Sequence, residues 1–377
     1  MDKDRLSNSR MVYSDIEASE STDLKVSDRS PLWFLGEAPH LEEFVRYLQH
    51  IKDQIEQSPE VVVQVKLSGN LLGRVREDFA AMIKAGEEKL HRLGLLMSKT
   101  LLTTFHLHSV VIGEMASTKE RFTLSQTVAP ETLFSTIDLD LGNLQLSKLL
   151  FFDGSVWSKP SLVSNVVEYV ATEPNEFGIH RVLTRVKAEQ EIWNKVVDEI
   201  FQVDQLVKMD KKLVHLSRFI KDVFGLKIVV GSTDEARKVH DCLKHITWSH
   251  LNLTSLGLIS DEKVERLKFI ETKEHLDGGH KKASGWQAVK SVVRWADSTF
   301  EIQVQPLRNY LAEKERLTGE SHVGFKARRE ALRDELAERF PLFRFYRELL
   351  RWLFLAEMGE NSLQPPQFHN ISIIVES

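Results

Sequence analysis

Near the start of the chain, Leu41, Phe44, Val45, Leu48 and Ile51 recur every three or four positions, which predicts a helix over about 41–57. A second, longer helix is expected from about Arg76 to Leu96. Between about Leu101 and Val170 the pattern changes. Short apolar runs, β-branched residues and turn signals such as Asp153-Gly154-Ser155 predict mixed strands and short helices there. Residues 1–30 are polar and rich in Ser and Asp, and they read as a disordered tail.

The second half is easier to segment. Helices are expected from about Ile179 to Val203 and from about Lys211 to Lys221. Leu226 to Gly231 is a compact apolar run ending at Gly-Ser, the signature of a buried strand. A helix follows over about Thr233 to His245, then an extended segment Arg266 to Thr272. Ala288 to Trp295 and Thr299 to Gln305 form two neighbouring strands. The remainder is helical from about Leu307 to Glu357, broken at Pro341, with a last apolar run Ile371 to Val375. Alternating helices and strands predict an α+β fold, a mixed β-sheet with flanking helices, preceded by a helix-rich N-terminal region.

Composition narrows the function classes. At 377 residues, two domains are expected. A net charge of −5 argues against general nucleic-acid affinity, so any anion site is local. The single Cys242 excludes an intramolecular disulfide, and the N-terminal Met-Asp-Lys-Asp-Arg lacks the apolar core of a signal peptide. The most apolar stretch, Leu93 to Gly113, is interrupted by Lys99, His106 and His108, so no membrane span is expected and the cytoplasm is the expected compartment.

Four segments carry candidate chemistry. In the first, Lys187, Glu191 and Lys195 are spaced i, i+4 and i+8 on one helical face, with Arg185 upstream and Ile192, Trp193, Val196 and Ile200 on the core side. That face can hold a triphosphate, or it is simply solvated. The second is Asp222, an acid at the mouth of a buried strand: a Mg²⁺ ligand or a helix-capping residue. The third is the loop Lys273 to Trp286, where Lys281, Lys282 and three glycines surround an aromatic able to stack on a base or to anchor the loop. The fourth is the strand Thr299–Gln305. Its Phe300, Ile302 and Val304 face the core, and Glu301, Gln303 and Gln305 share a face that meets water or lines a site.

In order and spacing, residues from about 180 to 345 resemble the synthetase domain of the RelA/SpoT alarmone synthetases. The family's Arg-x-Lys with a further Lys eight residues on is matched by Arg185, Lys187 and Lys195. Its Asp-x-x-Gly-x-Arg strand entry is matched by Asp222, Gly225 and, changed, Lys227. Its Pro-Lys-x-Asn-Gly-Tyr loop is echoed by Lys282, Gly285 and Trp286, and its Glu-x-Gln strand by Glu301 and Gln303. The later His-x-x-Tyr-Lys helix corresponds to His322, Phe325 and Lys326. The domains implied are a tail over 1–30, an N-terminal α/β region over 31–175 with no legible role, and a nucleotidyltransferase-like domain with C-terminal helices over 176–377.

The resemblance implies a Mg²⁺-dependent transfer of pyrophosphate from ATP to the 3′-hydroxyl of GTP or GDP. Arg185, Lys187 and Lys195 would hold ATP, Asp222 and Glu301 the metal, Trp286 the acceptor base, and Glu301 would also take the hydroxyl proton. Lys227, Lys282, Lys290, Gln303, His322 and Lys326 complete the implied nucleotide contacts. The sequence departs from the family pattern in having Lys227 for an arginine, Glu191 for a serine on the basic helix, and Lys290 for a histidine. Those departures keep two alternatives open: the same fold acting on an adenosine nucleotide or a tRNA 3′ end, or a non-catalytic nucleotide-binding module. Aromatic residues near the end (Phe343, Phe345, Tyr346, Trp352, Phe354) are expected in the core, with a homo-oligomer surface as the alternative. His240-Asp241 and His106-Leu-His108 lack the further ligands of a metal centre and are expected to be structural.

Overall fold

A computed structural model of the chain describes residues 39–115, 117–118, 120–152, 156–186, 193–194, 196–197, 200–201, 224–276, 286–318, 333–354 and 365–376. The chain divides into two compact units. One draws on Met1–Met82, Glu189–Ile220 and Ala327–Ser377; the other on Ile83–Ala188 and Lys221–Lys326.

The first unit contains α1 (Pro39–Gln57), strand β1 (Val63–Ser68), the opening of helix α2 (Gly69–Leu101), α9 (Pro341–Phe354) and the last strand β12 (Ile371–Glu376). The predicted face of α1 is buried, as Leu41, Phe44, Val45, Leu48, Ile51 and Ile55. β1 and β12 pair in parallel, Val63 beside Ile371 through Ser68 beside Glu376. Trp193 is the centrepiece of this core, stacked on Phe79 at 4.7 Å and on Phe354 at 4.2 Å between ring centroids. Val196 and Ile200 are buried with it, so the expected apolar side of that segment serves the core. Phe343, Phe345 and Tyr346 are buried as well, which is the core use expected of them.

The second unit is built on an eight-stranded mixed sheet ordered β3-β2-β6-β7-β8-β11-β10-β9. These are β2 (Phe105–Glu114), β3 (Arg121–Thr127), β6 (Ser161–Ala171), β7 (Ile179–Val186), β8 (Phe224–Val230), β9 (Lys268–Glu274), β10 (Val289–Trp295) and β11 (Ser298–Pro306). A small hairpin, β4 (Phe151–Phe152) with β5 (Trp157–Ser158), pairs separately from it, with Phe151 against Phe122 of β3. Helices α3 (Pro130–Ser135), α4 (Asp138–Leu146), α5 (Thr233–His245), α6 (His250–Thr254), α7 (Glu262–Glu265) and α8 (Leu307–Thr318) complete the unit. Among the described residues no helix is long and apolar enough to cross a membrane.

Two expectations are corrected here. Ile179–Val186 is strand β7, not the start of a helix. Ile179, Val182, Leu183 and Val186 carry helical spacing in sequence, but β7 pairs with β6 on one side and β8 on the other. In its middle, Val182, Leu183 and Thr184 are all buried, so the polar alternation that identifies strands is lost there. The boundary expected near 175 also falls between two paired strands of one sheet, because β2, β3 and β6 from the N-terminal region extend it. The N-terminal region is thus not simply helix-rich: it supplies three strands of that sheet.

Local sequence explains the connections. Ser232 and Glu235 form a reciprocal capping box that ends β8 and starts α5. β10 and β11 join through Ala296 and Asp297, both at positive φ (50° and 58°), as a tight two-residue hairpin requires. Glycines let α2 lie close against the sheet. A Cβ on Gly86 would meet Phe224 Cζ at 2.1 Å, and one on Gly94 would meet Thr184 Cγ2 at 2.6 Å. Gly86→Ala is therefore expected to destabilise the protein by about 1–3 kcal/mol by overpacking. Urea denaturation checks this, and the loss should shrink when Phe224→Leu is combined with it.

Candidate functional site

Strand β11 alternates as its sequence predicts, with Phe300, Ile302 and Val304 on one side and Glu301, Gln303 and Gln305 on the other. The polar side does not face water. Glu301 is 2% exposed and Gln305 is fully buried. Helix α8 covers part of this face, its Tyr310 packing with Leu183 and Val229.

Strand register extends the polar row across the sheet. β8 and β11 run in parallel with Gly225 beside Glu301 and Lys227 beside Gln303. β7 brings Arg185 beside Gly225, while β10 brings Lys290 beside Gln303 and β9 brings Lys273 beside Lys290. Directly paired residues point to the same side of a sheet. Arg185, Lys227, Glu301, Gln303, Lys290 and Lys273 therefore share one face, and Gly225 leaves a place without a side chain between Arg185 and Glu301.

Hydrogen bonds and ion pairs knit this face together. The Glu301 carboxylate accepts from Gln303 Nε2 at 2.6 Å through Oε1, and its Oε2 lies against the Lys290 ammonium. Glu301 Oε2 has no partner of hydrogen-bond geometry, so the charge contact with Lys290 carries that interaction. A buried carboxylate needs such a cation to offset its lost hydration. Lys290 stands where the family pattern has a histidine, and its partner is the implied catalytic glutamate.

A second carboxylate, Glu313 on α8, went unnoticed in the sequence. Its Oε2 accepts from Lys227 Nζ at 2.5 Å and from Gln305 Nε2 at 3.2 Å, and its Oε1 from Trp286 Nε1 at 2.6 Å. Burial pushes the Glu313 carboxyl up, but the Lys227 ammonium and hydrogen bonds from Lys227, Trp286 and Gln305 outweigh it and hold the group below its ordinary value. Trp286 is half-buried against Glu313 rather than exposed, with its ring 5.8 Å from that of His275. No one-dimensional signal marks Glu313, since a glutamate on an amphipathic helix usually meets solvent.

Of the residues predicted to form a site, the structure brings together Arg185, Lys227, Lys290, Glu301 and Gln303 on one sheet face, with Trp286 at Glu313. Arg185 is there as a strand residue and is exposed, not as part of a basic helix. Lys187, Lys195, Asp222, Lys282, His322 and Lys326 lie outside the described residues. A neighbouring network, also absent from the sequence reading, joins Glu168 to Arg181 at 2.9 Å and to the Tyr310 hydroxyl at 2.9 Å. His240 is structural, as expected: it is buried and bonded to Ser291 Oγ at 2.9 Å, and burial followed by Lys244 lowers its pKa.

The Glu313 contacts generate a pH prediction. A carboxyl whose folded pKa is depressed stabilises the protein above its unfolded pKa, and that stability is lost as pH falls through the folded value. Glu313→Gln should cost roughly 1–2 kcal/mol at neutral pH, allowing for solvent screening, and should flatten the decline in stability on acidification. Urea midpoints measured from neutral pH to about pH 3 check both parts.

No family model and no curated protein matches the chain. Among solved structures, it is similar to small alarmone synthetase 1 from Bacillus subtilis bound to its product pppGpp, at 17% identity over 44% of this chain and 78% of that chain, with a TM-score of 0.23. It is similar too to a GTP pyrophosphokinase family protein from Streptococcus pneumoniae, at 19% identity over 48% of this chain and 75% of that chain, with a TM-score of 0.24. Likenesses of that size carry no argument of their own. Strand register aligns the described part of the motif series that resembles the RelA/SpoT pattern: Arg185, Gly225, Lys227, Glu301 and Gln303.

Proposed function

We propose that the polar face of the sheet binds nucleotides and that the protein transfers pyrophosphate from ATP to the 3′-hydroxyl of GTP or GDP. The observation that carries this reading is Glu301: a carboxylate 2% exposed, in the middle of a row of cations and amides. Burying an acid there costs free energy that packing does not return, so a chemical use is the better account.

The assignments rest on the family resemblance, joined for the described residues by chemistry and strand position. The acceptor 3′-oxygen forms a bond to the β-phosphorus of ATP, the bridging bond to the α-phosphate breaks, and AMP leaves. Glu301 takes the hydroxyl proton. Lys227 and Lys290 stand on its strand neighbours, suited to oppose negative charge on the transferred group. Arg185, across the gap at Gly225, is suited to the donor phosphates, a role the family resemblance also gives Lys187 and Lys195, and Trp286 offers a stacking surface for the acceptor base. Gln303 orients Glu301, and Lys282, His322 and Lys326 make further nucleotide contacts.

Oxygen donors suit Mg²⁺, and Glu301 with Asp222 would hold it. The ion would supply charge neutralisation on the phosphate oxygens. Lys290 already rests on Glu301 Oε2, so that lysine must give way or share the carboxylate when a cation binds.

A second reading has one specific observation behind it. Glu313 engages both Lys227 and Trp286, the two positions where the chain departs from the family's arginine and tyrosine. A carboxylate beside the base platform suits a purine with donors at its edge, which guanine (N1–H, N2–H2) and adenine (N6–H2) both carry, so an adenosine nucleotide or a tRNA 3′ end stays an alternative acceptor. The test is incubation of the purified chain with Mg²⁺ and γ-labelled ATP plus GTP, GDP, ATP or bulk tRNA. Label on a guanosine nucleotide, reduced at least about 100-fold by Glu301→Gln, is expected. Label on adenosine nucleotides or tRNA would move the protein to the second reading. No transfer to any acceptor would sink the enzymatic proposal and leave nucleotide binding alone to test.

A further inference from the structure

A second buried polar centre lies on the opposite face of the same sheet. Thr184 precedes Arg185 on β7 and so points away from the polar row, towards α2. There it meets His91, whose Nδ1 is 3.3 Å from Thr184 Oγ1. The other ring nitrogen, Nε2, is 3.0 Å from Asp138 Oδ1 and 3.8 Å from Glu87 Oε1. Glu87 also accepts the backbone N–H of Asp138 at the start of α4. One ligand atom from each of the three residues lies within 4.8 Å of the others, and all three residues are buried.

We propose that Glu87, His91 and Asp138 bind one divalent transition-metal ion, of the zinc class, as a structural centre of the second unit. The donor set is the first reason. One imidazole and two carboxylates suit such an ion better than Mg²⁺ or Ca²⁺, which prefer oxygen alone. The second is Asp138 Oδ2, a buried oxygen with no hydrogen-bond partner. A cation that accepts both Asp138 oxygens, Glu87 and His91 Nε2 has four donors, the number a closed structural zinc site uses. The third is the surrounding support. With Nε2 on the ion, His91 Nδ1 carries the proton and donates it to Thr184 Oγ1. Asn165 Nδ2 donates to the Asp138 backbone oxygen at 2.9 Å, and its Oδ1 accepts from Ser109, which in turn accepts from Gln145. Tyr169 donates to the His91 carbonyl at 3.3 Å.

Charge supports the same assignment. Two buried carboxylates beside one imidazole make a negative pocket that attracts a cation. A proton on His91 leaves Asp138 Oδ2 without a partner, whereas a divalent cation uses it and neutralises both carboxylates.

The inference is independent of the nucleotide reading, and its test keeps them apart. The full chain is expressed with Zn²⁺, Mn²⁺, Fe²⁺ and Co²⁺ in the medium, purified without chelator and submitted to elemental analysis. Roughly one equivalent of a transition-metal ion per chain is expected in the wild type and in Glu301→Gln, and its loss is expected in His91→Gln and Asp138→Asn. Should those variants not fold, the wild type is unfolded with EDTA, freed of chelator and refolded with or without Zn²⁺ or Co²⁺. The ion should raise the melting temperature, and Co²⁺ should give a visible d–d band. Folded wild-type protein without a transition-metal ion, an ion retained in full by folded His91→Gln and Asp138→Asn, or refolding indifferent to metal would each overturn the proposal.

Discussion

The pairing of β8 with β11 is the constraint on which the candidate site depends. It is the sheet's parallel pair, and it sets Gly225 beside Glu301 and Lys227 beside Gln303. Neighbouring antiparallel pairs then extend those two rows to Arg185 and Lys290. Because side chains alternate with a period of two, a slip of one residue would turn Glu301 and Gln303 to the apolar side. Phe300, Ile302 and Val304, all buried opposite, make that slip costly. The hydrophobic face thereby holds the polar face in register.

Placing charge inside such a sheet requires partners, and two carboxylates meet the requirement differently. Glu301 is almost wholly enclosed and leans on one lysine and one amide. Glu313 comes from a helix and gathers an ammonium, an indole N–H and an amide. The first arrangement sets a cation against a carboxylate oxygen that has no other partner among the described residues. The second immobilises an aromatic ring and a lysine that the sequence places in different segments. A site that must hold highly charged ligands benefits from groups fixed before the ligand arrives.

The opposite face follows other rules. There α2 lies close enough that Gly86 and Gly94 have no room for a side chain, and the polar groups of Glu87, His91 and Asp138 are sealed among Thr184, Tyr169 and Asn165. Closure of this kind suits a structural centre, whereas the proposed nucleotide face keeps Arg185 and Lys273 exposed at its edges. One sheet thus separates two polar centres by an apolar layer, and strand alternation alone assigns each group to its side.

Local patterns determined much of this protein. The helices at 39–57 and 233–245, the hairpin of β10 and β11 and the alternation within β11 all follow from apolar spacing, capping residues and turn positions, which act over a few residues. Glu301, Gln303 and Lys227 were identifiable because a family pattern fixes their order along the chain. Tertiary structure decided the rest. β7 is a strand because β6 and β8 pair with it on both sides, against a helical spacing of its own apolar residues. Glu313 joins the site because α8 returns across the sheet, and His91 meets Asp138 across 47 positions of sequence. The N-terminal strands enter the same sheet for the same reason: backbone hydrogen bonds must be paired, and their partners lie far away along the chain.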